Sequence, residues 1–235
     1  MPSPLISVPV VAETEVRARA SFELKTGSAT INMARPAGLF GCWRIAPITE
    51  AEQIVKFSRT AGGQPDLWLD LEASEDNLQS RDVTKYRVVH IATHGLLNAE
   101  RPQFTGLVLS LVGNRGGDGF LRTDEVFNLR LGSPLVMLSA CETGLGKEKR
   151  GEGVIGLTRA FMYAGAPTVG VSLWSVADKS TADLMTDFYK RLLATGTEST
   201  SPTAAMRGAQ LSLIAGKKYS APFYWAPFVI VGEWR

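Results

Sequence analysis

Two side chains in this sequence have the chemistry of a nucleophile and its base, and each follows a nearly uncharged run suited to a buried strand. His94 comes after YRVVHIAT (86–93), and Cys141 comes after SPLVMLSA (133–140). A thiol is mostly protonated at neutral pH and attacks only as the thiolate, so it needs a base or a positive neighbour; imidazole titrates close to that pH. If the two runs are neighbouring strands, their ends lie about 4.8 Å apart and loop side chains there can meet. Gly95, lacking a Cβ, lets its backbone N–H approach a substrate carbonyl, and the N–H of Cys141 is a second donor to an oxyanion. Such a set cleaves peptide bonds through a thioester.

Simpler readings stand beside this one. Free cysteine is commonly a small buried hydrophobe, and Cys42, in GLFGCWR, has no other reading. His90 and His94 lie on an extended run, where four residues span about 13 Å. They do not share one metal, and His90 is expected to be a core histidine. No cofactor is implied. The glycines of GLGKEKRGEGVIG after Cys141 join a strand to a helix as a phosphate loop does, but neither fingerprint fits: Lys149 stands where a third glycine is needed, and Glu152 follows Gly151 where a P-loop has lysine.

Composition narrows the partners. The 235 residues carry 25 Lys and Arg against 23 Asp and Glu, a net charge of +2, and no basic cluster suited to nucleic acid or anionic lipid. With 45% apolar and 20% charged residues the chain is neither disordered nor fibrous, and its length suits one large domain or two small ones. Two cysteines in unrelated contexts give no disulfide framework and no zinc spacing, which fits a reducing, cytoplasmic setting. The opening MPSPLISVPVVAETE lacks the basic segment of a signal peptide. Gly153 to Ala177 is long and apolar enough to raise a membrane helix, yet Arg159 and Gly165-Ala166-Pro167 break it. A helix, a turn and a buried strand account for it.

The elements that position the reactive residues follow from periodicity. Strict alternation from Glu15 to Lys25, a turn at Thr26-Gly27-Ser28, and alternation through Ala29, Ile31 and Met33 predict an N-terminal β-hairpin. Thr49 followed by Glu52 reads as a capping box before a helix over Ala51 to Arg59. Tyr86–Thr93, Ser133–Ala140 and Thr168–Val176 read as strands buried on both faces. A helix ending at Gly165 joins the last two, and Gly95 is expected to break the first. Residues 105–131 read as a hairpin with a short helical turn. Helices are expected over 179–194 and 202–214, and a final strand over 226–231. This alternation predicts an α/β three-layer domain, preceded by a hairpin and loop. Active sites in such sheets lie at the carboxyl ends of strands.

HIATHG (90–95) and LSACETGLG (138–146) resemble the two catalytic motifs of the CHAT domain, a bacterial caspase-like family related to caspases and separases. The likeness continues in order through DGFLRTDEVFNLRL, GEGVIGLTRAFMYAGAPTVGVSLWSVAD, AAMRGAQ and FYWAPFVIVGE, and it implies a CHAT-like domain over 47–235 after the hairpin and loop of 1–46. It implies a caspase-haemoglobinase-like αβα fold with a mostly parallel sheet, His94 as general base, Cys141 as nucleophile, and Gly95 with Cys141 at the oxyanion. The spacing, 141 − 94 = 47 positions, agrees with the offset of about 50 seen in caspases.

Departures carry information too. Family members usually have further core strands and often TPR helices where residues 1–46 read as hairpin and loop, so the chain reads as a shortened or terminal piece and a TPR-containing or other regulatory protein as a partner. Relatives that cleave after Arg or Lys place an acid two residues before the nucleophile, where this chain has Ser139. Ser139, Glu142 and Asp178 are the candidate substrate-pocket residues, and Asp178 also suits a helix cap. Glu142 beside the thiol disfavours the thiolate, which implies an activation step. The expected function is a regulated cysteine endopeptidase acting on a protein or peptide substrate. The alternative is a catalytically silent caspase-like module working through protein contacts.

Overall fold

The computed structural model describes residues 10–12, 46–80, 82–96, 102–111, 116–142, 150–174, 178–194 and 200–233. The hairpin expected over 15–33, Cys42, and the glycine loop at 143–149 lie outside them.

In chain order the elements are β1 (Val10–Ala12), α1 (Ala46–Thr60), β2 (Leu67–Leu69), α2 (Glu75–Ser80), β3 (Val88–Leu96), β4 (Gly106–Val108), β5 (Phe120–Arg122), α3 (Thr123–Val126), β6 (Leu135–Glu142), α4 (Arg150–Tyr163), β7 (Thr168–Ser172), α5 (Asp178–Leu192), α6 (Pro202–Ala215), α7 (Pro222–Trp225) and β8 (Phe228–Gly232). Six strands form a sheet in the order β2-β1-β3-β6-β7-β8. All neighbours run parallel except β8, which is antiparallel to β7. The β4–β5 hairpin branches from the carboxyl end of β3.

Uncharged runs become strands here because both faces are covered. Along β3, Val89 and Ile91 enter an apolar cluster with Leu78, Val126, Leu157, Ala160 and Phe161 of α2, α3 and α4. Val88 enters the opposite cluster, with Ala51 and Ile54 of α1, Phe188 of α5 and Met206 of α6. Alternation along the strand thus divides the molecule into three layers. Residues 153–177, read from sequence as helix, turn and strand, contribute α4 and β7. No helix among the described residues is long and apolar enough to cross a membrane.

Local chemistry sets the element ends. Gly165, at φ +108°, closes α4 with two bonds of a Schellman motif: its N–H donates to Met162 at 3.1 Å, and that of Ala166 donates to Phe161 at 3.1 Å. Ser201 caps α6, accepting from Ala204 N–H at 3.3 Å, and Pro202 fills the first turn. Two expectations are corrected. Helix α1 starts at Ala46 rather than Ala51, because Pro47 fits a first turn that has no N–H to lose. Gly95 does not break β3, because partners on both sides, Leu107 and Glu142, carry the ladder through it.

The β4–β5 hairpin is held by a buried acid. Glu75 accepts from Gly119 N–H at 3.3 Å and from Gln79 Nε2 at 2.8 Å. Burial, then the charge of Glu125, raises its carboxyl above the usual value.

Candidate active site

Strand register brings the two reactive positions together. Residues 88–95 of β3 pair in parallel with 135–142 of β6, and in that ladder His94 is the Cα partner of Cys141 and Gly95 the partner of Glu142. Both positions lie inside strands rather than in the loops beyond them. At His94 the other flank of β3 also changes hands. β1 pairs as far as Ala12 with Ala92, and β4 takes over at Val108 with His94. Between the two, Thr93 Oγ1 donates to the Val108 carbonyl. The site thus stands at a fork in the sheet, the kind of place where open α/β sheets hold ligands.

His94 shares the face of Val88, His90 and Ala92 by alternation, the face covered by α1 and α5. Its ring is partly buried, and that desolvation lowers its pKa from the ordinary 6.5. The imidazole is therefore neutral at neutral pH, the form a base requires.

Two register positions below, Ala92 pairs with Ser139. The Ser139 hydroxyl donates to Glu50 Oε2 of α1 at 3.2 Å. The other oxygen, Oε1, lies 3.1 Å from His90 Nε2, within ion-pair range but off the alignment of a hydrogen bond. His90 Nδ1 meets the Tyr189 hydroxyl of α5 at 2.9 Å. Glu50 is 4% exposed, and His90 and Tyr189 are 0% exposed. His90 is the core histidine that the sequence predicts.

On the other side of β6, Val171 of β7 pairs with Leu138, the last pair of that ladder, and Trp174 follows just after β7 ends at Ser172. Trp174 packs on the same apolar cluster as Val88, and its indole N–H donates to the Phe223 carbonyl at 3.1 Å. Behind Gly95 and Ala140, on the opposite face, an apolar hollow is lined by Gly106, Leu138, Val154 and Leu157.

Of the residues singled out from sequence, His94, Gly95, Ser139, Cys141 and Glu142 share one pair of strands, while Asp178 is the first residue of α5. Glu50, Tyr189 and Trp174 were missed. Their partners are up to 99 positions away in sequence, beyond any local pattern. Among the described residues, no group of three or more His, Cys, Asp or Glu is placed to hold a metal ion.

The family model described as the CHAT domain matches residues 11–233. Tetratricopeptide repeat protein 28 of Mus musculus is 36% identical over 113 residues, which cover 48% of this chain and 4% of that protein. The Homo sapiens protein of the same name is 34% identical over 113 residues, with the same coverage. The chain thus spans only a small part of these relatives. Among solved structures, the Arg specific cysteine proteinase gingipain R superposes with a TM-score of 0.61 at 11% identity, covering 97% of this chain and 46% of that one. At that identity the likeness is one of fold.

Proposed function

As the chain belongs to the CHAT domain family, we propose that it is a cysteine endopeptidase with Cys141 as nucleophile and His94 as general base. The observation that carries this reading is the register pairing of His94 with Cys141 on adjacent parallel strands. His94 takes the thiol proton, and the thiolate attacks the substrate carbonyl carbon. The oxyanion is met by the backbone N–H groups of Gly95 and Cys141. The imidazolium then protonates the leaving amine as the C–N bond breaks, leaving a thioester. Water, deprotonated by His94, hydrolyses the thioester and returns the free thiol and a carboxylate product.

Ser139, Glu142 and Asp178 remain the pocket candidates, and Glu142 supplies the reason for an activation step, since its charge beside the thiol opposes the thiolate. A reducing, cytoplasmic setting suits a free catalytic thiol. The tetratricopeptide repeat relatives supply the reason for a repeat-containing protein as regulatory partner, because such solenoids present extended concave binding surfaces. The same relatives favour a second reading, a module that keeps the fold but works through protein contacts alone.

A peptidyl acyloxymethyl ketone probe separates the two. Covalent labelling should disappear in Cys141→Ala and fall at least about a hundredfold in His94→Ala, in line with the usual contribution of general acid–base catalysis. Full biological activity of Cys141→Ala would leave only the second reading.

A further inference from the structure

Beneath the His94–Cys141 pair lies a second set of polar groups that the proposed reaction does not use: Ser139, Glu50, His90 and Tyr189, drawn from β6, α1, β3 and α5. Burying a carboxylate costs several kcal/mol unless its oxygens find donors. Among the described basic side chains only His90 lies within ion-pair distance of Glu50, facing Oε1 at 3.1 Å outside hydrogen-bond alignment, while the Ser139 hydroxyl donates to the other oxygen. One arrangement of protons is consistent with these contacts. Tyr189 keeps its hydroxyl proton, since burial and then the Glu50 charge raise its pKa well above the usual value. With that hydroxyl donating to His90 Nδ1, the ring proton sits on Nε2 and faces Glu50 Oε1. The Ser139 hydroxyl donates to Oε2. The order runs one way, from Tyr189 to Glu50 on one side and from Ser139 to Glu50 on the other.

Its location gives the set a purpose. Ser139 precedes Cys141 by two residues, about 6.6 Å along a strand, and Ala92, its partner on β3, has no side chain able to grip it. The hydrogen bond to Glu50 is a polar tie between the last part of β6 and the helical layer. A negative charge opposes a thiolate, so any benefit of Glu50 to the pair is one of geometry. We propose that Glu50, oriented by His90 and Tyr189, is a positioning residue that acts through Ser139 to set the height of Cys141 against His94. The inference rests on the peptidase reading of that pair, and it ties helix α1 to the site: a displacement of α1 would break the link to Ser139 and the link to His90 together.

The test uses the whole chain and varies the hydroxyl at fixed shape, Ser139→Thr against Ser139→Val, with Glu50→Gln as a second probe. Two rates are read: alkylation of Cys141 by iodoacetamide, followed by mass spectrometry, and turnover of a peptide cleaved in a Cys141-dependent way. Ser139→Thr should stay within about twofold of wild type. Ser139→Val should lose about tenfold in alkylation rate and in kcat, with KM unchanged and the two variants melting within a few degrees of each other, since one oriented hydrogen bond to a charged group corresponds to about 1.5 kcal/mol, close to the 1.4 kcal/mol of a tenfold change. Glu50→Gln combined with Ser139→Val should be no worse than the poorer single variant, as expected of two groups acting through one link. Equal rates for Ser139→Thr and Ser139→Val overturn the positioning role and leave the peptidase reading standing. A wild-type Cys141 that reacts no faster than the thiol of the unfolded chain overturns the peptidase reading, and this inference with it. Should Glu50→Gln fail to fold, the Thr and Val pair at the partly exposed Ser139 still decides.

Discussion

The role proposed for His94 depends on where it stands. Partial burial disfavours the imidazolium, so protonation needs a lower pH than the ordinary 6.5. The acid limb of kcat/KM for a peptide substrate should therefore have its midpoint below 6.5, and a midpoint at or above that value would mean the limb belongs to another group. Below it, Tyr189 shows how closely the interior is matched: its hydroxyl meets His90 Nδ1 at 2.9 Å in a fully buried pair. Tyr189→Phe keeps the ring contacts but leaves that nitrogen without its hydrogen-bond partner. A loss of about 1–3 kcal/mol is expected in urea unfolding.

Elements meet at points where one side chain or its absence decides the packing. Gly232 ends β8 at φ +112°, and a Cβ there would lie 2.0 Å from the Pro167 carbonyl oxygen at the entry to β7. Gly232→Ala should cost about 2 kcal/mol or more and raise hydrogen exchange in β8 before the central strands. Glu75 gives an opposite kind of test. Its folded-state pKa is raised, so the folded chain binds this proton more tightly than the unfolded chain does. Stability from this group is present at low pH and is lost as pH rises from about 4.5 through the raised value. Glu75→Gln should flatten that part of the stability–pH curve; an unchanged slope in thermal melts from pH 4 to 7 would contradict it.

The same elements show what can be read from residues alone. β3, β6 and β7 are legible because a strand covered on both faces has nowhere to place a charge, and the end of α4 is legible because only glycine sits easily at the φ of Gly165. The start of α1 is not: Thr49 with Glu52 imitates a cap, while the helix begins earlier, around Pro47. β1 is three residues long, too short for any period, and its identity comes from partners far along the chain. At the site, His94 and Cys141 stand out by chemistry. Glu50 looks like any acid in the first turns of an amphipathic helix until its carboxylate is seen under β6.

The molecule as a whole is one sheet serving two apolar layers. Phe161 belongs to the cluster on the α4 side and Phe188 to the one on the α1 and α5 side, both 0% exposed. Because the two clusters share β3 and β6, neither can be lost while the other stays intact. Phe161→Ala and Phe188→Ala should each cost about 3–5 kcal/mol, and calorimetry should record a single transition in both. Two separated transitions would show the layers to be independent.

The order of the sheet also sets a timetable. β1 lies between β2 and β3, pairing Val10 with Leu67 and with His90. A ribosome adding about 5–20 residues per second makes β1 roughly 4–16 seconds before the β3 half of its slot exists. β1 thus waits through the synthesis of α1, β2 and α2, and it is housed on both flanks only once β3 has emerged.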